Sequence, residues 1–198
     1  KEDTISLELG GERRHVAILF SHLYRFDTFV EQASPEDLIA FLNEYFTRLN
    51  PAITSHQGSI DKLIGDAIMA VFFEIPGAAH PARRAVDAAR EMQARISDLN
   101  AERRRMALPG TRTDIGVHFG PVISGKVGSR EGRIDFTVIG DPVNTAARLC
   151  STAALRPSGS IIISKTVQEH LTADIAVQSL ERMSLKGKSE ALHLFLVG

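Results

Sequence analysis

The sequence predicts an α+β domain, a central mixed sheet with helices packed on one face. Three observations lead there. The element order runs strand, helix, hairpin, helix, strand and then more of each, without a strict βα repeat. Two apolar runs, Gly58 to Ile64 and Ala67 to Phe73, flank Gly65-Asp66, a tight hairpin signal. Two long stretches carry apolar residues at helical spacing: Leu38, Phe41, Leu42, Tyr45, Phe46 and Leu49 in one, and Ala85, Ala88, Ala89, Met92, Ile96 and Leu99 in the other.

Taken in order, residues 1–12 are polar and read as a lead-in, with the domain proper over 13–198. His15 to Phe20 reads as a strand. Ser34-Pro35-Glu36-Asp37 starts a helix, with Ser34 as N-cap, Pro35 in the first position and acids in the first turn; it runs to about Ser55. The hairpin follows, then a long helix from about Pro81 to Arg105 with an Arg-rich outer face. Strands are expected at Arg112 to His118, Val122 to Val127 and Ile134 to Val138. A helix begins near Asp141-Pro142, a short strand covers Ile161 to Ile163, Ser164 caps a short helix, and a closing hairpin turns at Lys186-Gly187-Lys188.

The bulk properties narrow the function classes. A chain of 198 residues suits one domain with a substantial core. Lys and Arg number 23 against 24 Asp and Glu, so no basic field favours nucleic acid or an anionic membrane. The single Cys150 excludes an internal disulfide framework and fits a reducing, cytoplasmic setting. No apolar run approaches the ~20 residues of a membrane helix, and no signal peptide is visible. The chain begins at Lys1, which fits a piece of a longer protein carrying a regulatory domain elsewhere.

The chemistry concentrates in three stretches. In "DKLIGDAIMAVF", strand alternation puts Lys62 on a face with Ile60 and Ile64, an unusual place for a merely solvated lysine; snorkelling is the bland alternative. Asp66 alone reads as a turn residue. In "TVIGDPVNTAARL", Asn144 and Arg148 are four apart and project from one helix face, with only the small Thr145, Ala146 and Ala147 between them. A neutral donor beside a cation suits a phosphoryl group gaining negative charge; an exposed polar pair is the plain reading. Thr137 ends a strand and could offer its hydroxyl to a base edge. "LKGKSEAL" is either a glycine hairpin with solvated lysines or a means of presenting Lys186 to a phosphate.

Together "HVAILF", "IDKLIGDAIMAVF", "GVHFGPVISGKVG", "DFTVIGDPVNTAARL" and "LKGKSEALHLFLV" resemble a class III nucleotide cyclase catalytic domain, from about Gly11 to Val197 and with the motifs in family order. The resemblance implies a ferredoxin-like βαββαβ core working as a head-to-tail homodimer with ATP at the interface. In such a domain the 3′-hydroxyl attacks the α-phosphate, giving a cyclic nucleotide and pyrophosphate, with Mg²⁺ or Mn²⁺ as cofactor. By resemblance Asp66 is a metal ligand, Lys62 and Thr137 read the base, and Asn144 and Arg148 stabilise the transition state. Lys186 binds the terminal phosphates, as does Arg130, with Arg133 the other candidate in that loop. A donor at Lys62 and an acceptor at Thr137 complement adenine, which favours ATP.

One stretch departs from the pattern. Where the family has F-x-D-I-x-G-F-T, this chain has Phe20-Ser21-His22-Leu23-Tyr24-Arg25-Phe26-Asp27. His22 stands at the first metal-binding aspartate, Arg25 at a phosphate-loop glycine and Asp27 at the threonine. Imidazole is a poor Mg²⁺ ligand. Two expectations follow: an adenylate cyclase of weak or metal-specialised activity, or a silent pseudo-cyclase serving as a nucleotide-binding or dimerising regulatory module. An RNA-binding sheet is disfavoured, since no matching aromatic pattern is present.

Overall fold

The structure is a computed structural model and describes residues 11–129, 132, 134–156, 159–180, 182 and 191–198. Arg130, Arg133, Lys186 and the 186–188 turn lie outside the described residues.

The first half builds a βαββαβ unit. Strand β1 (Gly11–Leu23) leads through α1 (Phe26–Gln32) and α2 (Pro35–Ser55) to the hairpin β2 (Ser59–Ile64) and β3 (Ala67–Phe73), then α3 (Pro81–Arg105) and β4 (Thr113–Gly128). The strands lie in the order β2-β3-β1-β4, all antiparallel. Beyond β4 come β5 (Ile134–Ile139), α4 (Asp141–Ala154), β6 (Ile161–Ser164), α5 (Lys165–Gln168), β7 (Val177–Ser179) and β8 (Leu194–Val197). Strand β6 pairs parallel with β4, β8 adds antiparallel to β6 and β7 closes that edge, so the sheet is mixed.

Local chemistry explains the helix starts. Ser34 caps α2, its hydroxyl accepting from the Asp37 N–H at 3.1 Å. His80 caps α3, its Nδ1 accepting from the Ala82 N–H at 3.2 Å. The apolar stripes of α2 and α3 then bury Phe41, Tyr45, Leu49, Ala85, Ala89, Met92 and Leu99 against Ala17, Leu19, Ile115 and Val117 of the sheet. The two long helices thus share one face, as the sequence suggests, and α4 adds a partial cover on the other, with Ala146 among Val16, Ile18, Met69, Val71 and Val138.

Three expected boundaries are corrected. Strand β1 starts at Gly11, inside the stretch read as lead-in, because Gly11 to Arg14 pair with Val122 to Gly125 of β4. The two strands expected either side of Gly120-Pro121 are one. Pro121 falls between the part of β4 paired with β6 and the part paired with β5, where β4 has β1 alone as a partner and a missing N–H is tolerated. The alternation in β2 is interrupted by a bulge between Ile60 and Lys62. Ile60 therefore lies opposite Ala70 and packs on the helix side, while Lys62 lies opposite Met69 on the other face.

Candidate functional site

The face of the sheet away from α2 and α3 carries the candidate site. The β4–β5 hairpin folds across it: Val138 is buried in the cluster with Met69 and Val71, and the Phe136 ring lies 6.3 Å from that of Phe73. Thr137, buried between them in sequence, is thereby brought to β2, 75 residues away.

Two pairs of predicted residues meet. The Lys62 ammonium donates to the Thr137 hydroxyl within the same chain. It also donates to the carboxylate of Asp61 at 2.6 Å, and the Thr137 hydroxyl donates to the same Asp61 oxygen at 3.0 Å. Asp61 went unnoticed in the sequence because strict alternation puts it on the opposite face from Lys62; the bulge turns both toward β5. The second pair is at the end of β1. The His22 Nδ1 lies 3.0 Å from Asp66 Oδ2 and 2.8 Å from the Leu23 carbonyl oxygen. Both neighbours are acceptors, so Nδ1 carries the proton; it donates to the Leu23 carbonyl and has Asp66 beside it as an electrostatic neighbour. The Leu23 N–H donates to the same Asp66 oxygen at 2.7 Å. Burial pushes the Asp66 carboxyl up from the ordinary carboxylate range, and the nearby Asp27 charge adds to this; the Leu23 hydrogen bond and His22 pull the other way.

Asn144 and Arg148 sit on the α4 face as the i, i+4 spacing requires. Among the described residues neither side chain has a hydrogen-bond or ion-pair partner, and none joins them to Asp66. Arg25 is exposed, has φ +56°, and forms no ion pair with Asp27. A left-handed backbone at a non-glycine residue costs energy. Arg25→Gly is accordingly expected to be neutral or to stabilise the fold by up to ~1 kcal/mol in urea unfolding. A clear loss would show that the guanidinium has a structural duty.

The helix that presents Asn144 and Arg148 is seated on glycine. A Cβ built on Gly116 of β4 would stand 2.2 Å from the Cys150 nitrogen and 2.4 Å from the Ala146 carbonyl oxygen, both main chain of α4. Close backbone contact of this kind fixes the height of the helix above the sheet.

Comparison with known proteins agrees with this geometry. The family described as the adenylate and guanylate cyclase catalytic domain matches residues 11–198. The chain belongs to this family. Its cyclase fold is shared with the adenylyl cyclase CyaB of P. aeruginosa, at TM-score 0.87 and 26% identity over 96% of each chain. It is shared also with the guanylyl cyclase Cya2, at TM-score 0.83 and 30% identity over 96% of this chain and 94% of that one. Among curated sequences, an uncharacterized protein of Mycobacterium tuberculosis (strain ATCC 25618 / H37Rv) is 35% identical over 94% of the chain and 32% of its own length. Adenylate cyclase 1 of Rhizobium meliloti (strain 1021) is 31% identical over 93% of the chain and 28% of its own length. The cyclase domain thus spans about a third of the length of such relatives.

Cyclases of this family generally use Mg²⁺ or Mn²⁺. The residues of this cyclase domain do not fit a two-cation clamp. Asp66 is the carboxylate at the position, its Oδ2 accepts the Leu23 N–H, and the residue at the first metal-aspartate position, His22, sets its Nδ1 3.0 Å from that same oxygen. Among the described residues no group of three or more His, Cys, Asp or Glu could hold a metal ion.

Proposed function

We propose that this is an adenylate-type cyclase domain that binds ATP in the interface of a head-to-tail homodimer, with cyclisation held down at His22. The observation that carries the reading is the Lys62–Thr137 pair, a donor and an acceptor side by side at a position where the base edge would lie. Adenine offers a ring-nitrogen acceptor and an exocyclic amine, the complement of that pair. Asn144 and Arg148, without a side-chain partner among the described residues, supply hydrogen bonds and positive charge to the α-phosphate while the 3′-hydroxyl attacks and pyrophosphate leaves. Lys186 and Arg130 are assigned to the phosphates by resemblance.

The dimer is supported by the surface around the site. Leu63, Ile64, Ile123, Val127, Phe136 and Ile139 are all exposed on β2, β4 and β5. Among the described residues nothing joins Asp66 to the α4 pair within a chain, so a second copy would complete each site. No helix among the described residues is long and apolar enough to cross a membrane. A cytoplasmic domain governed by a regulatory segment of a longer protein completes the proposal.

The His22–Asp66 contact favours one second reading, a silent cyclase module that binds nucleotide or dimerises to relay a signal. Calorimetry with ATP and GTP tests the base assignment. ATP is expected to bind about tenfold tighter or better, the scale of one well-formed base-edge pair. Equal affinities would remove the adenylate assignment. Binding of neither nucleotide would leave the dimerising module.

A further inference from the structure

We propose that Asp61 sets the choice of base by holding the Thr137 hydroxyl as an acceptor. The inference rests on the proposed ATP-binding reading and deepens it.

A threonine hydroxyl is indifferent in itself. It has one hydrogen and two lone pairs, and it rotates to suit its partner. Opposite a nucleobase such a group accepts from the exocyclic amine of adenine or donates to the exocyclic oxygen of guanine. Alone, Thr137 would discriminate little. Asp61 removes the freedom. Its side chain is 7% exposed, and an ionised carboxylate so placed must be met by donors. It finds two, the Lys62 ammonium at 2.6 Å and the Thr137 hydroxyl at 3.0 Å. A carboxylate cannot return a hydrogen, so the Thr137 O–H points at Asp61.

What remains is a fixed pattern. One Thr137 lone pair takes an N–H of Lys62 and the other is left over. Lys62 spends one N–H on Asp61 and one on Thr137, and its third has no partner among the described residues. The site thus presents one acceptor and one donor side by side, fixed by a third group beneath them. Adenine meets both. Guanine in the same pose sets its ring N–H against the ammonium and its oxygen against the lone pair, two unfavourable contacts in a half-buried place.

The bulge makes this arrangement possible. In a regular strand Asp61 and Lys62 would project to opposite faces. The extra residue in β2 lets consecutive side chains both reach Thr137. Asp61 therefore acts through Thr137 and Lys62 as a positioning residue, without needing to touch the base.

The test is a cycle of variants read as the ratio of ATP to GTP affinity, measured by calorimetry on the unaltered chain and on Asp61→Asn, Thr137→Val and the double variant. Asparagine keeps the volume of Asp61, yet its amide offers a donor as readily as an acceptor, so the hydroxyl is no longer held one way. Asp61→Asn is expected to lower the ATP-to-GTP ratio by about fivefold or more, the worth of one neutral hydrogen bond. In the Thr137→Val background the same change should leave the ratio where it is, because there is no hydroxyl left to orient. Three results would overturn the proposal. An unchanged ratio in Asp61→Asn means the hydroxyl is set by something else. An equal weakening of both nucleotides means Asp61 only supports the strand. An undiminished effect in the Thr137→Val background means Asp61 works on Lys62 alone. If the unaltered chain binds both nucleotides equally or binds neither, the ATP-binding reading fails first and takes this inference with it.

Discussion

Replacing Gly116 by alanine is expected to lower the melting temperature by about 10 °C and to abolish nucleotide binding. The added methyl would sit 2.2 Å from the Cys150 nitrogen, 2.4 Å from the Ala146 carbonyl oxygen and 2.8 Å from the Leu149 carbonyl carbon. All three are backbone of α4. A clash with a flexible side chain is relieved by a rotamer change, but here the whole helix must lift. Helix α4 is anchored from both sides of this contact, by Ala146 in the cluster with Val16 and Ile18 and by Leu149 and Ala153 in the cluster with Ile162 and Leu194. Lifting it loosens both. Overpacking of this sort costs ~3 kcal/mol at the upper end of its range. The functional consequence follows from position, since Asn144 and Arg148 ride on α4 and a shift of ~1 Å is enough to spoil a charge-stabilising contact. Differential scanning fluorimetry with ATP calorimetry checks both parts. A Gly116→Ala chain that melts unchanged and binds ATP normally would show that the close approach of α4 to β4 is dispensable.

How far the sequence can be read depends on where each signal is stored. Helix α3 was legible to its last residue, because Pro81 opens it and the apolar stripe from Ala85 to Leu99 repeats without interruption. Helix α1 was not, since it is seven residues long, buries no residue fully and starts at Arg25 with no side-chain cap. The β2–β3 hairpin was legible from Gly65, whose φ of +62° is the conformation a tight turn asks for. The bulge inside β2 is invisible in the sequence, because an extra residue leaves no mark in a short run, and strict alternation therefore puts Ile60 on the same face as Lys62. For the site the division is similar. Asn144 and Arg148 could be paired from helical spacing alone, since both lie on one element. Lys62 and Thr137 are 75 positions apart and His22 and Asp66 are 44 apart, and only the path of the chain brings them together; the resemblance, not the spacing, points to those pairs. Asp61 carries no signal beyond its place next to Lys62 in a short strand.

Changing His22 to aspartate is expected to raise Mg²⁺-dependent cyclase activity at least tenfold, a gain of ~1.4 kcal/mol in transition-state stabilisation. At present an N–H occupies the position where a cation would need a ligand. The Leu23 N–H donates to Asp66 Oδ2 at 2.7 Å, and the His22 Nδ1, which hydrogen-bonds to the Leu23 carbonyl oxygen at 2.8 Å, stands 3.0 Å from that same carboxylate oxygen. An aspartate at position 22 reverses this. It removes the imidazole's attraction and places a second anion beside a carboxyl already made uncomfortable by burial and by Asp27. Two such carboxylates repel unless a cation lies between them, so the change turns the site toward Mg²⁺. A readout independent of turnover follows by linkage, because an ion that binds the folded chain alone stabilises it, by ~2.7 kcal/mol at a hundredfold excess over its Kd. His22→Asp should therefore melt higher as Mg²⁺ is added, and the unaltered chain should not. The altered phosphate loop is the competing candidate for any block, and His22→Asp combined with Arg25→Gly and Asp27→Thr separates the two. Activity appearing only in the triple variant would place the block at Arg25 and Asp27. Brisk Mg²⁺-dependent turnover by the unaltered chain would mean that this fold cyclises ATP with an imidazole at the position of the first metal-binding aspartate, and that the contact between His22 and Asp66 opens when nucleotide and cation arrive.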